Sequence, residues 1–238
     1  NATYFRDYKE EASRVATDVT GNLSPQRTTE VEKLKMMGMY YENLEADVSD
    51  LSAIENRRGI QILGLLGVNL FMRMEVEINL RDEQIILYRT DREGHRLALP
   101  RNFGNNGIRK TFDLRNNAII TEGSIAGVSL DVCFDTGAEA LLLDNDLPAE
   151  VFSAIRIVRR GELMGAGGKS AEVLFGALRA LNFGLSLPNC QLMIADLEEI
   201  GKAYGYPVDA FLGYDLMNKA VVTINFKTKE IFIHAFES

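Results

Sequence analysis

The sequence predicts a mainly β protein of two related lobes with a few short helices. Three observations predict it: an internal repeat, paired apolar runs with period-two alternation, and a composition able to fill a core. Of 238 residues, 46% are hydrophobic and 25% charged, ordinary values for a globular protein and far from a disordered chain. That length suits one large domain or two small ones.

Sliding the chain on itself by 146 residues aligns 38–87 with 184–233 without a gap, and thirteen of the 50 positions are identical. Average composition would give about three. The identities include Gly38/Gly184, Asn43/Asn189, Asp50/Asp196, Leu51/Leu197, Gly59/Gly205, Leu66/Leu212, Gly67/Gly213 and Asn79/Asn225. Recurrence at one spacing demands equivalent backbones, so the two copies are expected to superpose about a pseudo-twofold axis.

Taken in order, each copy opens a helix at Asp-Leu (Asp50, Asp196), where a short carboxylate caps free amides. Each helix closes at a glycine, Gly59 or Gly205, a residue that accepts the left-handed terminating conformation. An apolar strand ending in Leu-Gly comes next. Two alternating strands follow, VEINLRDEQIIL and VTINFKTKEIFI, each with a polar turn. Upstream of the second copy, 119–134 reads as two strands around a turn at Ala126-Gly127. The Gly-, Asn- and Arg-rich stretch 90–109 reads as a connection. The lobes are therefore expected at 1–95, incomplete at its start, and 96–238.

A net charge of −8 points away from nucleic acid and anionic membranes. The longest nearly apolar run, 62–72, is 11 residues, and a spanning helix needs about 20. Cys133 and Cys190 leave room for one disulfide but form no metal motif, and no cofactor or metal is expected. The chain starts Asn-Ala-Thr-Tyr, without Met or a leader, as expected of a fragment or processed product.

Asp135-Thr136-Gly137 follows a strand-like run ending Cys133-Phe134 and precedes Leu141-Leu142-Leu143. Asp, Thr and Gly suit an exposed turn, yet the flanks are apolar. A carboxylate pinned between buried strands is costly without a partner or a function, so Asp135 is the leading candidate for chemistry. Gly167-Gly168-Lys169-Ser170 lacks the upstream glycine of a phosphate loop, Leu163 standing there. His95 and His234 are expected at the surface, Cys133 as a small buried thiol, and Asp209 and Asp215 as structural acceptors of loop amides.

With these residues the chain resembles the retropepsin-like branch of the aspartic peptidase superfamily. Residues 123–127, Gly-Ser-Ile-Ala-Gly, resemble the family's first hairpin, and 134–138 its catalytic loop. Gly165-Ala166-Gly167-Gly168 falls where the flap lies, and Phe211-Leu212-Gly213 resembles the segment packed beside the catalytic loop. The resemblance implies a closed-barrel topology and hydrolysis of peptide bonds in a peptide or protein substrate by water activated on an aspartate pair. Asp135 would be one member, Thr136 would bond across to the opposite loop, and Gly137 would leave room for that approach. A cleft between lobes would bind extended peptide by main-chain hydrogen bonds, with 165–168 as a mobile tip.

The family pattern needs two such loops, and this sequence has one Asp-Thr-Gly. By the 146-residue offset, Asn1 corresponds to about Leu147. Asp18-Val19-Thr20-Gly21 has an extra residue and the wrong distance to Gly38, so it is not the missing loop. Three alternatives stand: the partner carboxylate lies upstream, two chains pair their loops as a dimer, or the protein is a non-catalytic peptide-binding homologue.

Overall fold

A computed structural model describes residues 1–5, 9–17, 23–98, 107–164 and 170–236. The mainly β expectation holds: the described residues form sixteen strands and four short helices. The order begins β1 (Lys9–Thr17), β2 (Leu23–Met36), β3 (Met39–Asp47), α1 (Ser52–Arg58), β4 (Met74–Asn79) and β5 (Gln84–Arg89). It continues β6 (Ile108–Thr111), β7 (Asp113–Arg115), β8 (Ala118–Ile125), β9 (Val128–Phe134), β10 (Leu141–Asp144) and α2 (Ala149–Ser153). The remainder is β11 (Ile155–Met164), β12 (Ser170–Asn182), β13 (Ser186–Ala195), α3 (Glu198–Tyr204), β14 (Ala210–Leu212), α4 (Tyr214–Met217), β15 (Ala220–Asn225) and β16 (Glu230–Ala235). Contacts gather into two compact units, Asn1–Leu66 with Leu163–Ala171, and Gly67–Glu162 with Glu172–Ser238. The hairpin β4–β5, part of the first repeat, thus belongs to the second unit.

The repeat predicted from sequence recurs in the backbone of the helix and the two hairpin strands, but the apolar strand expected before Leu66-Gly67 is not formed: 64–66 is irregular where 210–212 is β14. At the 146-residue offset α1 falls on α3, β4 on β15 and β5 on β16, end for end. Gly59 and Gly205 both close their helices at φ 65°. Gly38 and Gly184 share positive φ (79° and 87°), as do Asn43 and Asn189 (53° and 56°). Asp50 and Asp196 each accept the amide two residues on, at 2.9 Å, which satisfies a free donor at the helix start. Identical asparagines also do identical work. Asn79 accepts the Asp82 amide and Asn225 the Thr228 amide, each closing its hairpin turn.

The match extends to the first residue, with a correction. Asn1 donates its amine to the Leu63 carbonyl at 2.9 Å, Ala2 N–H bonds Ser49 at 2.8 Å, and the Asn1 carbonyl Oδ1 accepts the Leu51 amide at 3.2 Å. Asp144 N–H bonds Asp209 at 2.9 Å, Asn145 N–H bonds Ala195 at 2.9 Å, and Asp144 Oδ1 accepts the Leu197 amide at 3.2 Å. Asn1 therefore stands for Asp144, not Leu147. The offset drops from 146 to 143 because the second copy is longer in the stretch that carries α2.

In the first unit β1, β2 and β3 form an antiparallel sheet in that order. In the second, one sheet runs β11-β12-β13-β10-β14-β9-β8-β7, and a β12–β8 pairing at Asn182/Ser124 closes six of its strands into a ring. Inside lie Val132, Leu141, Leu143, Leu181, Phe183 and Leu212, all 0% exposed; each contributes about 1.5–3 kcal/mol of burial.

A second sheet, β5-β4-β15-β16-β6, joins the hairpins of both copies. Ile78 pairs with Val222 and Val76 with Ile224, which the 146-residue offset simply exchanges. A local twofold therefore passes between Glu77 and Thr223. Glu77 (0% exposed) and Glu75 (5%) are buried there, and Arg96 bonds Glu75, lies 3.6 Å from Glu77, and stacks on Tyr88. The pairing offsets the desolvation of three charges.

Candidate functional site

Asp135 is positioned by a local knot of strands. β9 delivers it and β10 leads away, while β14 is inserted between the two. Ala210, Phe211 and Leu212 run parallel to Val132, Cys133 and Phe134, and antiparallel to Leu142 and Leu143 on the other side. Both edges of this three-residue strand are satisfied, which fixes it despite its length. The Asp135 amide bonds the Leu212 carbonyl at 3.0 Å, and the Tyr214 amide bonds the Ala138 carbonyl at 2.9 Å. Leu212-Gly213 therefore lies beside the Asp-Thr-Gly loop. A Cβ on Gly213 would collide with the Asp135 carbonyl oxygen and lie 2.8 Å from that of Ala138, so only glycine allows this approach.

The loop holds its carboxylate from within. Gly137 N–H donates to Asp135 Oδ1 at 2.8 Å, and Ala138 N–H to the Asp135 carbonyl at 3.0 Å. A Cβ on Gly137 would sit 3.2 Å from the same Oδ1. Asp135, Thr136 and Gly137 are all exposed, which corrects the expectation of a carboxylate buried between strands. The strands end one residue earlier and lift the loop clear of the core.

Asp215 Oδ2 accepts the Leu141 amide at 2.9 Å and Asp209 Oδ2 the Asp131 amide at 2.7 Å. They brace the two strands flanking the loop, the structural role read from sequence. Burial raises the pKa of each, opposed by those amide bonds. Cys133 is 2% exposed; burial first, then the Asp135 charge, pushes its thiol up to about 12, so it is no thiolate nucleophile. Cys190 is also buried and free, its thiol pushed to about 11.

Tyr204, on α3, is a neighbour that sequence reading missed. Burial, then Cys133 and Asp135, push its phenol to about 12. Its signal was only the recurrence of α3 within the repeat. Gly165, Ala166, Gly167 and Gly168, read as the flap, lie outside the described residues, as does Lys169. Of the histidines, His95 is exposed as expected. His234 is half-buried instead, because Gly107 packs against its ring, and burial lowers its pKa.

Two hollows lie in the second unit. One of about 270 Å³, beside Ala140 at the loop's C-terminal end, is lined by Val158, Phe175, Leu192 and Met193 together with the polar Arg159 and Gln191. A larger one of about 660 Å³ is lined by Asp144, Asp196, Glu198, Lys202, Tyr206 and others, and no residue of the Asp-Thr-Gly loop reaches it. Asp91, Glu93 and His95 bring their ligand atoms within 4.8 Å of one another. Asp91 already accepts the Glu93 and His95 amides there, as a turn-closing aspartate does. Among the described residues no helix is long and apolar enough to cross a membrane.

No family model matches the chain, and no curated protein matches it. Among solved structures it is similar to a retropepsin-like aspartic protease from Rickettsia conorii, at 13% identity and a TM-score of 0.36. The match covers 54% of this chain and 89% of that one.

Proposed function

We propose that the chain is an aspartic endopeptidase of the retropepsin-like kind, with Asp135 one of two carboxylates that activate water. The observation that carries this reading is the Asp135–Ala138 loop seated on Leu212-Gly213, where a glycine's missing side chain sets the approach of two backbones. In the reaction, an ionised carboxylate takes a proton from water while its oxygen attacks the peptide carbonyl carbon. The protonated partner gives its proton to the carbonyl oxygen. Collapse of the tetrahedral adduct breaks the C–N bond as the departing nitrogen is protonated. One proton shared between two close carboxylates makes this division of labour available. The hollow beside Ala140, apolar but for Arg159 and Gln191, would receive a substrate side chain.

A second reading, a peptide-binding homologue without catalysis, is favoured by one observation: the 238 residues hold a single Asp-Thr-Gly. Turnover of an unfolded protein substrate, followed from acid to neutral pH, separates the two. Asp135→Asn is expected to lower kcat/KM by about a thousandfold or more with unchanged thermal unfolding. A mutant as active as the parent would remove Asp135 from the mechanism. Peptide binding without turnover in either protein would favour the second reading, and a rate rising with the square of protein concentration would favour paired chains.

A further inference from the structure

Four neighbouring strands, in the order β11-β12-β13-β10, carry the smaller hollow. Phe175 on β12 is the Cα partner of Met193 on β13, and Gln191 stands two residues before Met193, on the same face of that strand. Val158 and Arg159 come from β11, and Ala140 closes the near end, where the Asp-Thr-Gly loop gives way to β10. Among the described residues that line the hollow, Arg159 carries the one charge.

That arginine is held in place without being neutralised. Its guanidinium carbon lies 3.6 Å from the centroid of the Phe175 ring, a contact that fixes a planar cation and leaves its N–H donors available at the edge. A Cβ on Gly161 would come within 2.8 Å of both Arg159 Nη1 and the Phe175 ring, so the bare backbone at 161 makes the space for the stack. The next residue, Arg160, pairs with Glu172 at 3.4 Å. Arg159 has no acidic partner among the described residues.

A ligand for this hollow must bring an anion to Arg159 and apolar surface to Val158 and Met193. The volume, about 270 Å³, falls short of the roughly 300–1,000 Å³ of sites that enclose free small molecules. It suits one side chain delivered by a main chain lying outside. A glutamate meets these demands. Its carboxylate can accept two parallel N–H bonds from the guanidinium, the Gln191 amide can donate a third, and its two methylenes can lie along the apolar wall. The apolar surroundings strengthen that ion pair by keeping water from part of it.

We infer that Arg159 makes this hollow selective for an acidic side chain, glutamate first, in the peptide bound beside Asp135. That the hollow takes a substrate side chain rests on the peptidase reading; the preference for acid follows from the held arginine.

The test begins with the full chain and a library of short peptides of randomised sequence, the residues around each cleaved bond being read by mass spectrometry. Glutamate is expected to be enriched at one fixed position from the cleaved bond. Matched peptides with Glu or Gln at that position should then differ in kcat/KM by about tenfold or more. Arg159→Met should bring that ratio close to one, and Arg159→Glu should reverse the preference toward a Lys peptide, which a merely structural arginine would not do. Gly161→Ala keeps the arginine but displaces it from the ring, and should lower the ratio. Cleavage with no acid preference, or with one that survives Arg159→Glu, overturns the inference and leaves the peptidase standing. Where nothing is cleaved, the same library is bound to the protein and the retained peptides are sequenced. Acidic enrichment that Arg159→Glu abolishes keeps the selectivity and counts against the peptidase; retained peptides with no such enrichment overturn the inference.

Discussion

The turn at Asp135 between two buried runs was legible from its neighbours in sequence, but its exposure was not. The apolar flanks 132–134 and 141–143 are buried as expected, yet the loop between them rises out of the core. That height is set by where β9 stops, which depends on β14, whose residues pair with β9 residues 78 positions earlier (Ala210 with Val132). Gly213 was legible as part of a motif, and its reason appears only in three dimensions. Gly213→Ala is expected to destabilise the second unit by about 3 kcal/mol, because the obstructing atoms are backbone carbonyls that cannot swing aside. Urea unfolding measures it. A loss below about 0.5 kcal/mol would show that the loop yields without cost.

At the scale of elements, hairpins and helices came directly from alternation, capping aspartates and closing glycines. The aspartates that brace β9 and β10 add a pH dependence whose sign follows from their direction. Burial raises the folded-state pKa of Asp215 above the ordinary 3.8, so over that window the folded state holds more proton than the unfolded one. Stability contributed by this group is then greatest at acid pH and falls as pH climbs from 3.8 through the raised value. Asp209 acts in the same sense. Asp215→Asn keeps an oxygen for the Leu141 amide without the charge. It is expected to flatten the fall and to equal or exceed the parent in stability at neutral pH. Asp215→Ala strips the acceptor and is expected to cost about 1–3 kcal/mol. Thermal unfolding of both variants across this range is the check; an Asn variant with the parent's slope would remove Asp215 as its source.

For the whole molecule, duplication was the most legible feature, since Gly, Asn and Asp recur where φ is positive or a turn must close. Its unequal burial was invisible, because identical leucines read alike whatever packs on them. The shift of Asn1 from Leu147 to Asp144 was equally hidden: an ungapped offset cannot sense a length change outside the window where identities occur. Unequal burial makes the last prediction a comparison within one chain. Leu212→Ala opens a hole in a filled ring and is expected to cost about 2–5 kcal/mol. Leu66→Ala, the same substitution at the repeated position, removes a side chain already 52% exposed and is expected to cost under about 0.5 kcal/mol. The two values are read from urea unfolding, with the β13 and β14 amides reporting the second unit and those of 49–66 the first. Equal costs would mean that the segment ending at Leu66 is covered in solution by something the chain itself supplies.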